Sequence, residues 1–335
     1  MNILAVDVGF GQTKAIGGKT EKVVQFPSLV GNFKPLDFIS GQEELPWVEK
    51  LVIRYGDQSY FIGDVARRQD VPYSSLNSNR FTQNEGMALL MGAMALLLDA
   101  GENDVGLVVG LPVSDFERLK KEYRQALINT THNFKTLSLT GKAGRNYSVN
   151  IEAVKILPQP YGSWVQCFAE DRSLRDKVVA VCDIGYFTVD LAHIEKREYV
   201  ARKSSSYNEV GVHQAFMEIR SEISSSNIGV TLAEEDVTED LISRGTIKVH
   251  GETKSFVKMR NNVLRQKARQ ISERIKKNWL NFVGIDEIII TGGGASLLGD
   301  MVKEELNFQD TVVCKNNGSL TNVKGYHKLA TSIWG

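Results

Sequence analysis

The stretch Leu4-Ala5-Val6-Asp7-Val8-Gly9-Phe10-Gly11-Gln12-Thr13-Lys14 has a counterpart far along the chain. This is Val179-Ala180-Val181-Cys182-Asp183-Ile184-Gly185-Tyr186-Phe187-Thr188-Val189-Asp190. In both, an apolar run ends in Asp-x-Gly followed by an aromatic residue, and a second strand-like run follows. An apolar run entering a Gly-rich turn reads as a buried strand leading into a hairpin. Glycine lets the backbone turn tightly and lets a ligand reach its N–H groups, which form a nest for anionic oxygens. A carboxylate at the strand end suits a hydrated divalent cation such as Mg²⁺, which keeps several waters when it bridges phosphates. A single Asp-x-Gly also reads as ordinary turn chemistry. Its recurrence favours two phosphate tips, one near the start of each domain, closing on one polyphosphate and its metal.

Composition limits the alternatives. At 335 residues the chain is long enough for two ordinary domains. Lys+Arg and Asp+Glu are both 40, so the formal net charge is zero. That argues against a protein that coats nucleic acid by bulk charge, so a DNA partner is expected through an adaptor protein or a local patch. Zero net charge also removes long-range repulsion between copies and permits self-association. Cys167, Cys182 and Cys314 are scattered without CxxC spacing, and read as reduced apolar fillers rather than a metal site. A strand begins at once, with no signal-peptide pattern before it. The longest apolar stretch, Met87 to Leu98, is too short to cross a bilayer and reads as a buried helix. The expectation is a soluble, cytoplasmic protein without a membrane partner.

Further along, helical spacing or composition predicts helices over Glu85–Ala100, Phe116–Asn129, Asn262–Phe282 and Tyr326–Trp334. Strands are expected at Val105–Val109, at Asn150–Leu157 before Pro158-Gln159-Pro160, and at Asp286–Thr291. Leu51–Tyr55 and Ser59–Ile62 read as a hairpin within a mixed, surface-rich insertion. The last of the strands runs into Gly292-Gly293-Gly294, where the backbone can lie flat against a purine or ribose, and Ala295-Ser296 opens a helix. Asn208-Glu209-Val210-Gly211-Val212 introduces a helix from about His213. His193 shares a face with Val189 and Leu191 and is expected to be structural.

On these motifs the sequence resembles the superfamily of actin, heat-shock chaperone and sugar-kinase ATPases, whose two like-folded domains each begin with a phosphate hairpin. Ile288–Ser296 is similar to the family's adenosine-binding strand-turn-helix, and Ile156-Leu157-Pro158-Gln159-Pro160 to its crossover into the second domain. Phe26-Pro27-Ser28, Val109–Ser114 and Asn322–Tyr326 look most like ParM-type plasmid-segregation actins and archaeal-type relatives. The likeness spans almost the whole chain, loosely over residues 30 to 80 and 215 to 260. The fold it implies is α/β, with two ribonuclease-H-like domains and a nucleotide cleft between them. Domain I would be 1–158 plus 315–335, with a small inserted subdomain at about 28–82. Domain II would be 159–314, with one inserted at about 215–262.

The resemblance also assigns roles. Asp7 and Asp183 would hold metal-bound waters of Mg²⁺. Gly9, Phe10, Gly11, Gln12, Thr13 and Lys14 would surround the phosphates from one side, with Lys14 neutralising the β-phosphate region. Gly185, Tyr186, Phe187 and Thr188 would do so from the other. Gly211 would lie near the ribose, Lys276 would contact the nucleotide, and Gly292, Gly293, Gly294 and Ser296 would take the adenosine. Gln159, a neutral amide, would orient the attacking water rather than act as a base. Each has a plainer alternative: Lys14 a solvated strand lysine, Gln159 a linker residue, Gly211 a loop glycine, and Lys276 one of several solvated helix cations. Tyr186-Phe187 departs from the small residues many relatives carry. The implied activity is hydrolysis of ATP, or GTP, coupled to filament growth that moves DNA through an adaptor. A small-molecule kinase of the same superfamily would need an acceptor carboxylate, for which no convincing candidate exists. A pilus or cell-division scaffold would need a membrane-binding amphipathic terminus, which neither end supplies.

Overall fold

β1 (Asn2–Val8) and β2 (Gln12–Gly17) form the first hairpin, with Val8 opposite Thr13 and Asp7 opposite Lys14. Leu4 to Val8 are all buried, the mark of a strand covered on both faces. This is a computed structural model, and it describes residues 1–18, 21–37, 45–70, 78–128, 130–208, 210–226, 228–234, 236–315 and 318–335. Contacts divide the chain into two units, Met1–Glu170 with Asn322–Gly335, and Asp171–Thr321.

The first unit continues through β3 (Lys22–Pro27), β4 (Val30–Asn32), β5 (Val52–Tyr55) and β6 (Gln58–Ile62). After α1 (Asp64–Gln69) and α2 (Asn84–Leu97) come β7 (Gly101–Leu111) and α3 (Val113–Leu127). Then follow β8 (Thr131–Leu137), β9 (Ala143–Pro158) and α4 (Gln159–Glu170). The nine strands form one sheet in the order β3-β2-β1-β7-β9-β8-β5-β6-β4. Every residue of α2 from Gly86 to Leu96 is buried, as expected of a helix that is apolar all round. It joins Leu4, Val6, Ile53 and Leu107 in the core. Within the expected insertion at 28–82, residues 38–44 and 71–77 lie outside the described residues.

The second unit contains β10 (Val179–Ile184), β11 (Thr188–Glu195), β12 (Glu198–Tyr199) and β13 (Ser205–Asn208). Next are α5 (Val212–Ser225), α6 (Glu239–Arg244), β14 (Thr246–Val249) and β15 (Glu252–Ser255). α7 (Val257–Asn278), β16 (Glu287–Thr291), α8 (Ala295–Leu306) and β17 (Thr311–Val313) complete it. Its main sheet runs β12-β11-β10-β16-β17, with β13 also paired to β11. The chain then returns to the first unit as α9 (Thr321–Trp334).

The two units share a frame. In the first, β1 is antiparallel to β2 and parallel to β7, which is parallel to β9. In the second, β10 is antiparallel to β11 and parallel to β16, which is parallel to β17.

Boundaries moved where packing outweighs local pattern. β9 begins at Ala143 rather than Asn150, because its polar first half pairs with β8. α3 starts at Val113, directly after Pro112, instead of at Phe116, and Asn129 lies outside the described residues. α7 runs from Val257 to Asn278, not from Asn262 to Phe282. The expected last turn is broken by positive φ at Leu280, Asn281 and Phe282. The division between units falls after Glu170 and Thr321, not after residues 158 and 314. α4 belongs with the first unit because Ser163 bonds Asn322, and the Tyr326 hydroxyl donates to the Gln159 carbonyl. Among the described residues, no helix is long and apolar enough to cross a membrane.

Candidate nucleotide site

Each hairpin turn is closed by the same bond. The Gly9 N–H donates to the Gln12 carbonyl at 3.1 Å, and the Gly185 N–H to the Thr188 carbonyl at 2.9 Å. A Cβ at Gly9 would sit 2.8 Å from the Gln12 oxygen, and one at Gly185 2.9 Å from the Thr188 oxygen. Only glycine lets the returning strand pass so close. This corrects one expectation: the amides of Gly9 and Gly185 serve the turns themselves, so a phosphate would have to meet the crest of each turn.

Around the first turn, Asp7 is 3 % exposed. It pairs with Lys14 across the hairpin at 3.7 Å and accepts a 2.9 Å bond from Gln159 Nε2. Asp7 is the last residue but one of β1, Lys14 lies opposite on β2, and Gln159 opens α4 directly after β9. The three therefore meet because β9 lies two strands from β1 in the sheet. Not all of the expected phosphate residues present their side chains. Thr13 is wholly buried, and its hydroxyl bonds Ser28 at 2.9 Å. Gln12 accepts from the Gln25 side-chain amide.

The second turn differs in charge. Asp183 faces Asp190, not a lysine, across β10 and β11. Both carboxylates are buried, and residues opposed in this way have Cβ atoms about 5 Å apart. Asp190 Oδ2 accepts from the Thr188 hydroxyl at 3.0 Å. Burial, reinforced by these two carboxylates, pushes the neighbouring Cys182 thiol well up. Such a pair favours either a shared proton or a cation. Among the described residues, no group of three or more His, Cys, Asp or Glu is arranged so that it could hold a metal ion. The donor set fits an ion that rests on one or two carboxylates and keeps its waters, as Mg²⁺ does.

The start of α5 buttresses this turn from below. The Val212 and His213 N–H groups donate to the Gly185 and Tyr186 carbonyls at 3.2 and 2.8 Å, and a Cβ at Gly211 would meet the Tyr186 oxygen at 2.5 Å. Gly211 thus sits against the turn's backbone; Glu209, just before it, lies outside the described residues. Tyr186, Phe187 and His213 pack edge-on or tilted against one another, with centroids 4.5 to 5.3 Å apart.

The Gly292–Gly294 turn lies beside the end of β10. The Gly294 N–H donates to the Ile184 carbonyl at 2.8 Å. Gly292 has φ +90, and its Cβ would fall 2.2 Å from Asp183 Oδ1. The expected adenosine turn and Asp183 are therefore neighbours. Gly293 is open by comparison, and the Ser296 hydroxyl donates to its carbonyl at 3.1 Å. Lys276 is not brought there. Its ammonium donates at 2.7 Å to the Glu305 carbonyl, at the far end of α8 and about 15 Å along the helix from the glycine turn.

Three contributors escaped the sequence reading. Asp190 looked like a strand residue, although its position relative to Asp183 matches that of Lys14 relative to Asp7, a signal within reach of simple alignment of the two turns. Lys267, treated as solvated, is buried and paired with Glu218 of α5 at 2.5 Å. Arg80, before α2, is buried against the first turn.

Comparison with known proteins agrees with this arrangement. Residues 5–162 match a family model described as the N-terminal domain of actin-like proteins, and residues 181–304 one described as archaeal actin homologue MreB-like, C-terminal. An archaeal actin homologue of Thermoplasma volcanium is 22 % identical over 341 residues, covering 98 % of this chain and 99 % of the relative. The solved structure of an archaeal actin homologue in complex with ADP has a TM-score of 0.80 at 21 % identity, covering 99 % of this chain and all of the other. A 15-stranded ParM filament from Clostridium botulinum gives 0.79 at 22 % identity, covering 99 % of both chains. The fold is the mixed α/β fold of these proteins.

Proposed function

Because this chain belongs to the actin-like protein family, we propose that it binds and hydrolyses ATP with Mg²⁺ and assembles into filaments. The observation that carries the proposal is the recurrence of one turn in both units. Asp7, Gly9 and Gln12 recur as Asp183, Gly185 and Thr188, with the same register and closing bond. The crest residues of each turn, with Lys14 on one side, would hold the phosphates; Gly292–Gly294 with Ser296 would take the adenosine. The ADP complex of one structural neighbour and the filament form of another support this reading.

Gln159 would position the attacking water. Its amide nitrogen is committed to Asp7, so its carbonyl oxygen is the atom that would accept a bond from water and aim it. Rate enhancement would come from positioning and charge neutralisation, since phosphoryl transfer asks little covalent chemistry of the protein. A bound Mg²⁺ would supply positive charge to the phosphate oxygens, with Asp183 and Asp190 fixing its waters. Departure of the γ-phosphate would remove ties to the turns and weaken contacts between copies. With zero net charge, cytoplasmic DNA cargo would be reached through an adaptor protein. Light scattering and pelleting against protein concentration, with ATP, GTP, ADP and a non-hydrolysable analogue, form the test. A critical concentration that depends on a nucleoside triphosphate supports the reading. Turnover without polymer points to a kinase of the same fold, and absence of nucleotide binding overturns it.

A further inference from the structure

Arg80 stands behind the first turn. Its guanidinium donates to the Val8 carbonyl at 2.6 Å and to the Gly9 carbonyl at 3.3 Å. It lies 3.9 Å from the centre of the Phe10 ring, at the crest of the turn, and 4.7 Å from that of Phe81. The residue is buried, and desolvation pushes its pKa down to about 10, against the favourable fields of Asp7, Tyr123 and Asp115. It therefore remains a cation at neutral pH.

The second turn shows what this cation replaces. The carbonyls at the matching positions, Ile184 and Gly185, accept from the main-chain N–H groups of Gly294 and Val212 at 2.8 and 3.2 Å. One unit thus braces its turn with neutral backbone, the other with a charged side chain. A planar guanidinium can hold two adjacent carbonyls at once and stack on a ring; a lysine ammonium cannot do both. Burying a cation is costly unless paired, and here its acidic partner Asp7 is already paired with Lys14. Asp115, the other carboxylate whose field reaches Arg80, is likewise paired, with Arg118 at 2.8 Å, so three cations against two carboxylates leave this turn short of negative charge.

Resting on the nucleotide reading above, we propose that Arg80 is a positioning residue for the phosphates: it holds the Val8 and Gly9 carbonyls away from the crest and adds a buried positive charge behind it. Asp7, Lys14 and Arg80 together carry one net positive charge, which a phosphate oxygen on the other side of the turn would balance. The turn of the second unit carries two carboxylates and is suited instead to the cation that accompanies the phosphates.

The test uses the full chain with Arg80→Lys and Arg80→Gln, measuring calorimetric affinity for ADP and for adenosine, ATP turnover, and melting without nucleotide. Arg80→Gln should weaken ADP binding at least tenfold while adenosine binding changes less than twofold. Arg80→Lys, which keeps the charge but loses the double grip, should recover only part of the loss. If ADP and adenosine weaken equally, or only the melting temperature moves, Arg80 is merely structural and the proposal is overturned. Should the Arg80 variants not fold, Phe10→Leu, which removes the ring over the guanidinium, decides by the same ADP-to-adenosine comparison. If the unaltered chain binds neither ligand, it is the nucleotide reading that fails, a result distinguishable from an effect specific to Arg80.

Discussion

Gln159 Nε2 donates a 2.9 Å hydrogen bond to Asp7 Oδ1, joining the residue that opens α4 to the acid near the end of β1. The bond fixes which end of the amide faces outward. Replacing Gln159 by Ala should lower kcat for ATP hydrolysis by about 10²-fold and leave ADP affinity within about twofold, the pattern of an interaction made only in the transition state. Phosphate release and calorimetry measure the two. Equal loss of affinity would show that Gln159 merely supports the turn.

Asp190→Asn removes one of the two opposed buried carboxylates. Without metal the variant should melt no lower than the parent, because a like-charge pair is relieved. With ATP it should need about tenfold more Mg²⁺ for half-maximal turnover, corresponding to about 1.4 kcal/mol. Unchanged Mg²⁺ dependence would remove Asp190 from the cation's surroundings.

Lys276→Ala separates two roles for that lysine. Its bond to the Glu305 carbonyl places a cation at the C-terminal end of α8, worth about 0.3–1 kcal/mol. The substitution should lower the unfolding free energy read from urea melts by that amount and leave ADP affinity unchanged. A large loss of affinity would restore the nucleotide role that the family resemblance implied.

His132 is buried, with its Nδ1 3.1 Å from the Tyr55 hydroxyl and its Nε2 3.4 Å from the Leu127 carbonyl. Burial holds its pKa below the ordinary value. On acidification the unfolded chain therefore takes up the proton first. Stability is intact above about pH 6.5 and falls as pH drops below it. Thermal melts from pH 7.5 to 5 should show that fall, and His132→Gln should flatten it; His193, whose pKa is also lowered by burial, leaves a residual slope.

Gly325→Ala would put a Cβ 1.8 Å from the Gly162 carbonyl oxygen. α9 and α4 would have to separate, an overpacking cost of about 1–3 kcal/mol. Because α4 begins with Gln159, turnover should fall with stability, as read from paired urea melts and phosphate release. A stable, fully active variant would show that α9 does not brace α4.

Much of this was legible in the chain because both turns combine an apolar run with glycine at a fixed offset, a pattern backbone sterics reads locally. Asp7, Asp183 and the Gly292–Gly294 turn followed from that. Lys276 did not: eight basic residues along α7 give several equivalent choices, and only packing against α8 fixes which one turns inward. Arg80 carried no local sign at all. It lies 72 and 71 residues from the carbonyls it holds, and its placement depends on where the polypeptide before α2 comes to rest. Thr13 is expected among the phosphate residues from its place in the motif, but which way its hydroxyl faces is set by Ser28, directly after β3.

β9 runs unbroken for sixteen residues, about 50 Å at a strand's rise per residue, and hands directly to Gln159. Its outer half is clamped between β7 and β8, around Tyr147 stacked on Phe134. Its inner half, from Ile151 to Pro158, pairs with β7 alone, past a register shift opposite Val105 and Gly106. The stacked pair around Tyr147 and the amide beside Asp7 are thus carried at the two ends of one strand.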